Sequence, residues 1–390
     1  MTLSKNIEFK NFQLKKKNTK VKKIFNKLIK NYSDGNEEIL SSLSKRYKYK
    51  FDFKKIKKIK AFKDFAIFGM GGSSLGAKAI YFFLKKKINK NFRFINNLDL
   101  SNNSKTKKKE FNIIISKSGN TLETLANFNS EKIRNNCMFI TEKKNSYLRT
   151  LGLKLKSELI EHNNFIGGRY SVLSETGMIP AFFMGLNPSK FKRLDNLISS
   201  NKFIHHLIAN VSAIFLFHQR QKNNSIILNY DEGSINLFYW YQQLVAESLG
   251  KSSKGILPIV SQTPRDNHSV MQLYLDGFKK NFFTFFYVKE DNLKKIDNKT
   301  LLSSHYYLKN KKISDILYAQ FRATQNIFLK KKISFRSFVI QNKDEKTLGE
   351  LFAFFILETI LLGKALNINP FTQPAVELIK NDTTKILKKN

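Results

Sequence analysis

Two stretches in the first third of the chain share one layout, and that layout restricts the fold more than any other feature. Ala66-Ile67-Phe68 is a short apolar run entering Gly69-Met70-Gly71-Gly72-Ser73-Ser74-Leu75-Gly76, and residues of helical composition, Ala77 to Leu84, come next. Phe111 to Ile115 likewise stops at Ser116-Lys117-Ser118-Gly119-Asn120-Thr121, with a helix predicted from about Thr121. Strand, glycine/serine turn and helix in succession imply βαβ units and a parallel sheet with covered faces. Phe92 to Ile95 and Met138 to Thr141 supply further strands. The pattern then restarts: strands at Ser225–Leu228, Ile256–Val260, Phe282–Val288 and Phe335–Ile340, with helices at Ser234–Glu247 and Val270–Gly277 between them. A long helix follows from about Leu348 to Leu366.

The expected fold class is therefore α/β, with two α/β/α sandwich domains built on mainly parallel sheets. Residues 1–60 read as an N-terminal helical segment, 61–187 as the first domain, 188–346 as the second, and 347–390 as a C-terminal helical segment completing the active site. A length of 390 residues suits about two domains. No low-complexity linker separates the halves, so tight packing is expected.

Composition narrows the setting. The single cysteine, Cys137, excludes an intramolecular disulfide. The basic N-terminus has no apolar stretch resembling a signal peptide. Leu351 to Leu366 carries Glu358 and Lys364, which points to a buried helix and not a membrane span. A cytoplasmic protein without membrane partners is expected. The formal charge of +39 raises nucleic-acid binding. The lysines are spread along the whole chain, however, and no zinc-finger, RNP or helix-turn-helix pattern occurs. Compositional drift is the better reading, with no specific nucleic acid as partner.

The two glycine/serine turns look built for a phosphate. Glycines let backbone approach an anion, a helix N-terminus offers unpaired N–H groups, and serines add hydroxyl donors. Both turns fall at the carboxyl ends of strands, where open parallel sheets bind ligands. The spacings match neither a Walker A loop nor a dinucleotide fingerprint. A sugar phosphate fits better than a nucleotide, since no adenine or ribose subsite is apparent. His205, His206 and the other histidines lack metal-ligand company, so no metal is expected.

With these motifs in view the chain resembles a known family. Gly71 to Gly76 and Ser116 to Thr124 are similar to the phosphate loops of sugar isomerase (SIS) domains. Gly167-Gly168-Arg169-Tyr170-Ser171-Val172-Leu173-Ser174 resembles the arginine motif of phosphoglucose isomerases. Gln242 to Lys251 resembles that family's glutamate signature, Asp266-Asn267-His268-Ser269 its histidine segment, and Gln373 to Lys380 its C-terminal signature. The motifs occur in the family's order over roughly residues 65 to 380.

The resemblance implies a cofactor-free aldose–ketose isomerase acting on hexose 6-phosphates, as a homodimer whose histidine segment crosses to the neighbouring subunit. It assigns Glu247 as general base, a role a carboxylate fills well when burial raises its pKa. Arg169 would stabilise the enediolate, since arginine stays charged and cannot compete for the proton. The resemblance gives ring opening to His268, histidine being the side chain suited to moving protons in neutral solution, with help from Lys380. Gly72, Ser73, Ser116, Lys117, Ser118 and Thr121 would hold the phosphate, and Gln243 and Gln373 the substrate. Asn120 stands where the family commonly has threonine, removing one hydroxyl, and Ile379 replaces a glycine beside Lys380. A noncatalytic sugar-phosphate-binding SIS protein and a dual phosphoglucose/phosphomannose isomerase are the alternatives.

Overall fold

The computed structural model describes residues 2–12, 19–98, 109–290 and 294–389. The N-terminal segment departs from the helical reading. It opens with a hairpin, β1 (Thr2–Ser4) and β2 (Ile7–Lys10). Ile7 and Phe9 point into the core while Glu8 and Lys10 face solvent, which is strand periodicity. Helix α1 (Thr19–Ser33) then follows as expected for this segment.

The first sheet contains β3 (Asp64–Phe68), β4 (Asn91–Ile95), β5 (Glu110–Ile115), β6 (Cys137–Thr141) and β7 (Glu158–Glu161) in the order β4-β3-β5-β6-β7, all parallel. Every residue of β5 and β6 is buried, the pattern of strands covered on both faces. Helices α2 (Leu75–Phe83), α3 (Leu122–Ser130), α4 (Tyr147–Lys154) and α5 (Glu175–Phe183) follow strands or loops of this sheet.

The second sheet has a parallel part made of β8 (Asn224–Asn229), β9 (Leu257–Gln262), β10 (Asn281–Val288) and β11 (Phe335–Ile340). The hairpin completes it, β2 pairing antiparallel with β11, so the full order is β1-β2-β11-β10-β8-β9.

Around this sheet lie α6 (Asn201–Gln219), α7 (Ile235–Leu249), α8 (Ile313–Lys330) and α9 (Glu345–Ala365). All of α9 is buried except Lys346 and Lys364, as a helix apolar on all sides must be. Its most deeply buried carboxylate, Glu358, is matched by the buried guanidinium of Arg336, and Tyr241 donates to Glu358 Oε1 at 2.8 Å. No helix among the described residues is long and apolar enough to cross a membrane. The last helix, α10 (Pro374–Lys389), buries no residue at all.

Candidate active site

The strand order fixes where a ligand can sit. From β3 the chain crosses to β4 on one side and then to β5 on the other, so a crevice opens between the carboxyl ends of β3 and β5. The two glycine/serine loops leave these two strands. In the first, Gly71 has φ +50°, and a Cβ there would stand 2.6 Å from Gln243 Nε2 on α7. A Cβ on Gly72 would stand 2.2 Å from the carbonyl carbon of Gly168. These glycines are required because the loop is pressed against both α7 and the arginine loop. Ser73 is half-buried in the short turn that follows.

The second loop gathers hydroxyls. Ser116 Oγ lies 2.8 Å from Thr121 Oγ1 and 3.5 Å from Ser118 Oγ, and it accepts from the Gly119 N–H at 3.1 Å. Gly119, with φ +71°, passes so close to Ser146 that a Cβ would meet its Oγ at 2.2 Å. Lys117 turns away from the hydroxyls: its Nζ donates to the Asn164 carbonyl at 2.7 Å and faces Glu142 at 3.7 Å. Burial pushes its pKa down, partly opposed by Glu142. Asn120 accepts from the Tyr147 N–H at 2.9 Å, so the residue standing where the family commonly has threonine caps α4.

Arg169 sits in the tight turn after Gly168 and is 1% exposed. All five of its N–H groups are engaged. Nε donates to Ser248 Oγ at 2.8 Å and Nη2 to the carbonyls of Pro370 at 2.8 Å and Thr372 at 3.3 Å. Nη1 donates to Glu247 Oε2 at 3.2 Å and to Gln373 Oε1. The other Glu247 oxygen accepts from Gln243 Nε2 at 2.8 Å, one helical turn earlier on α7. The Glu247 side chain is 27% exposed, so it is held on both oxygens yet open to a ligand. The outcome is a carboxylate fixed beside a permanent cation, both bordering the first glycine loop.

Two predicted residues lie apart from this cluster. His268 is exposed on the short turn Arg265–His268, its side chain without a hydrogen-bond partner among the described residues. That turn is anchored at the end of β9 by Asp266, which accepts from the Gln262 N–H at 2.7 Å and from Ser261 Oγ at 3.0 Å. Lys380 is exposed on α10 and pairs with Glu377 at 2.7 Å. The sequence reading assigned no role to Tyr170, Ser248 or Lys251. Tyr170 shares Ser248 with Arg169, its hydroxyl lying 2.8 Å from Ser248 Oγ, and Lys251 Nζ donates to the Glu247 carbonyl at 3.1 Å. Lys251 follows Glu247 by four residues at a helix end, a spacing too common in a chain this rich in lysine to single it out.

Two mainly parallel sheets, each flanked by helices and one carrying both hydroxyl loops at its switch point, define a phosphosugar-isomerase architecture of the SIS type. A structure from Thermus thermophilus shares the fold with a TM-score of 0.81 at 21% identity, covering 94% of each chain. A glucose-6-phosphate isomerase structure from Chlamydia trachomatis superposes with a TM-score of 0.71 at 20% identity, over 90% of this chain and 73% of that one.

The chain belongs to the phosphoglucose isomerase family, whose profile matches residues 44–390. The glucose-6-phosphate isomerase of Methanocaldococcus jannaschii is 32% identical over 368 residues, covering 87% of this chain and 88% of that protein. Its counterpart from Aster yellows witches'-broom phytoplasma is 30% identical over 87% of this chain and 88% of its own.

Proposed function

We propose that this protein is a glucose-6-phosphate isomerase, interconverting glucose 6-phosphate and fructose 6-phosphate through a cis-enediolate. The observation that carries this reading is the Glu247 carboxylate held between Gln243 and Arg169, against which the first phosphate-type loop is pressed. The substrate phosphate sits among Ser73, Ser116, Ser118 and Thr121, and the Gly72 backbone lines the approach. Glu247 takes the proton from C2 of the aldose, and the electron pair moves through C1=C2 as the carbonyl becomes an enediolate. Glu247 returns that proton, partly exchanged with solvent, to C1, and the O2 hydroxyl proton passes to O1, which gives the ketose. Arg169 supplies positive charge to the oxygen that gains it. The reaction is internal to the sugar and balances without an added reductant or oxidant.

Ring opening falls to His268 and Lys380. Among the described residues, neither reaches the Glu247 cluster by a hydrogen bond within one chain, and both are exposed. A symmetric homodimer, in which the partner's copy of the histidine turn reaches the crevice, accounts for this. The exposed apolar residues of α10, among them Leu378 (71% exposed) and Ile379 (73%), give the helix a surface to cover.

Coupled assays with glucose 6-phosphate and mannose 6-phosphate test the reading. Turnover of the first alone is expected. Turnover of both would favour a dual isomerase, and turnover of neither by a dimeric, folded protein would favour a sugar-phosphate-binding protein. Glu247→Gln should retain substrate binding and lose isomerisation by about 10²–10⁴-fold or more. Solvent deuterium at C2 of glucose 6-phosphate formed in heavy water should be partial in the wild type. Incorporation unaffected by Glu247→Gln would exclude this residue as the base.

A further inference from the structure

We propose that Lys251 is a positioning residue for this reaction, latching the strap of residues 370–373 onto the helix that carries the base. The inference rests on the isomerase reading for its functional meaning, and on geometry for the latch itself.

The strap crosses the carboxyl end of α7 and leads into α10. Its backbone is gripped at two carbonyls. Pro370 O accepts from Arg169 Nη2 at 2.8 Å and from the Tyr170 hydroxyl at 3.0 Å. Thr372 O accepts from Arg169 Nη2 at 3.3 Å and from Lys251 Nζ at 2.5 Å. The same ammonium donates to the backbone carbonyl of Glu247 at 3.1 Å. One cation therefore bridges the base residue and the segment that delivers Gln373 to Arg169 Nη1.

This matters because Arg169 cannot do everything at once. Its five N–H groups are all engaged, three of them on the strap or on Gln373. A developing enediolate oxygen can draw an Arg169 donor only if one of these bonds is surrendered. Ser248 lies behind the guanidinium and Glu247 is the base, so the strap-side bonds are the ones to yield. Once they do, Lys251 is the remaining charged group on Thr372 O. It keeps the strap and Gln373 in place while Arg169 turns to the substrate. Capping the last carbonyls of α7 is the purely structural alternative. It explains the bond to Glu247 O but not the shorter one to a carbonyl far along the chain.

The test combines a mutant cycle with a measurement independent of turnover. Lys251→Met should lower kcat about tenfold, in line with slight misplacement of the site, with KM for fructose 6-phosphate nearly unchanged. Lys251→Arg should restore most of it. Gln373→Ala should give a loss of similar size, and the double variant should be no worse than either single variant, because both act through one strap. Multiplying losses, or a wild-type kcat in Lys251→Met, would overturn the proposal. Amide hydrogen exchange at residues 370–373 should rise in Lys251→Met, and unchanged protection would also overturn it. Glu247→Gln is assayed in parallel: activity there would refute the assignment of the base, while the exchange result would still decide the latch.

Discussion

Changing Gly72 to alanine adds a single methyl group at the point where two functional loops touch. The new Cβ would stand 2.2 Å from the Gly168 carbonyl carbon, 2.4 Å from its oxygen and 2.6 Å from the Arg169 nitrogen. Carbon atoms in comfortable contact lie about 3.5–4.0 Å apart, so the loops must part by roughly an ångström or more. All three obstacles are backbone atoms, and no side-chain rotation can relieve them. Overpacking of this kind costs about 1–3 kcal/mol. Each kcal/mol lowers Tm by about 2–4 °C in domains of 150–250 residues, and by less in a longer chain.

The effect on catalysis should exceed the effect on stability. The displaced atoms are the phosphate loop on one side and the peptide of Arg169 on the other, and about 1 Å of misplacement can lower turnover by about 10²-fold. The control is Gly168→Ala. Its Cβ would meet nothing nearer than the Gly72 Cα at 3.7 Å, which is ordinary contact. Thermal melts and coupled assays on both variants decide the matter. Gly72→Ala with wild-type kcat/KM, or Gly168→Ala equally impaired, would refute the argument from loop contact.

Other outcomes follow from features already described. Ser116→Ala with Thr121→Ala should mainly raise KM for fructose 6-phosphate, and an unchanged KM in that double variant would remove these hydroxyls from the phosphate site. His162 is buried, its Nε2 has no partner among the described residues, and burial pushes its pKa from 6.5 to about 4. Between those values the unfolded chain binds the proton and the folded one does not. Stability should therefore fall as pH drops from 6.5 towards 4, by on the order of 3 kcal/mol at most. Urea midpoints across that window should flatten in His162→Asn, and an identical slope would clear this residue. The charge of +39 predicts that kcat/KM falls with added salt while duplex DNA binds weakly and without sequence preference. Nanomolar, sequence-selective binding at physiological salt would contradict compositional drift.

The parallel strands are legible in the sequence because burial on both faces writes them as unbroken apolar runs: Ile113-Ile114-Ile115 is one example. The phosphate loops are legible because close backbone contacts demand glycine at fixed points. The β1–β2 hairpin is not, because only two residues of β2, Ile7 and Phe9, carry its inward face amid polar and basic neighbours. Strand β7 has a single buried residue, Ile160, and so little to read; helices α6 and α8 do carry apolar residues at helical spacing, such as Phe203, Leu207 and Val211 in α6, which the sequence reading passed over. Of the candidate site residues, local motifs suffice for those that touch through neighbouring elements. They are silent on Lys251, which in a lysine-rich chain looks like any other helix-end lysine. Its second partner, Thr372, becomes a neighbour only when the strap folds back over α7. Nor can sequence reveal that His268 and Lys380 lie exposed, since their surroundings depend on how separate elements meet.

The hairpin at the start of the chain has a further consequence for how the protein is made. Strand β2 joins the sheet through β11, its other edge being held by β1, and Asn6 Nδ2 donates to Thr347 Oγ1 across 341 residues of chain. One edge of β2 is closed at once by β1, but its other edge waits for β11, while the whole of the first sheet is synthesised between them. Contacts so distant in sequence are slow to form, and unpaired edges invite association with other chains. Until β11 arrives, that early strand is a hydrogen-bonding edge that a chaperone could hold or another nascent chain could capture. For the same reason no single cut near residue 187 separates this protein into two complete halves: the second sheet would lose the strand that closes it.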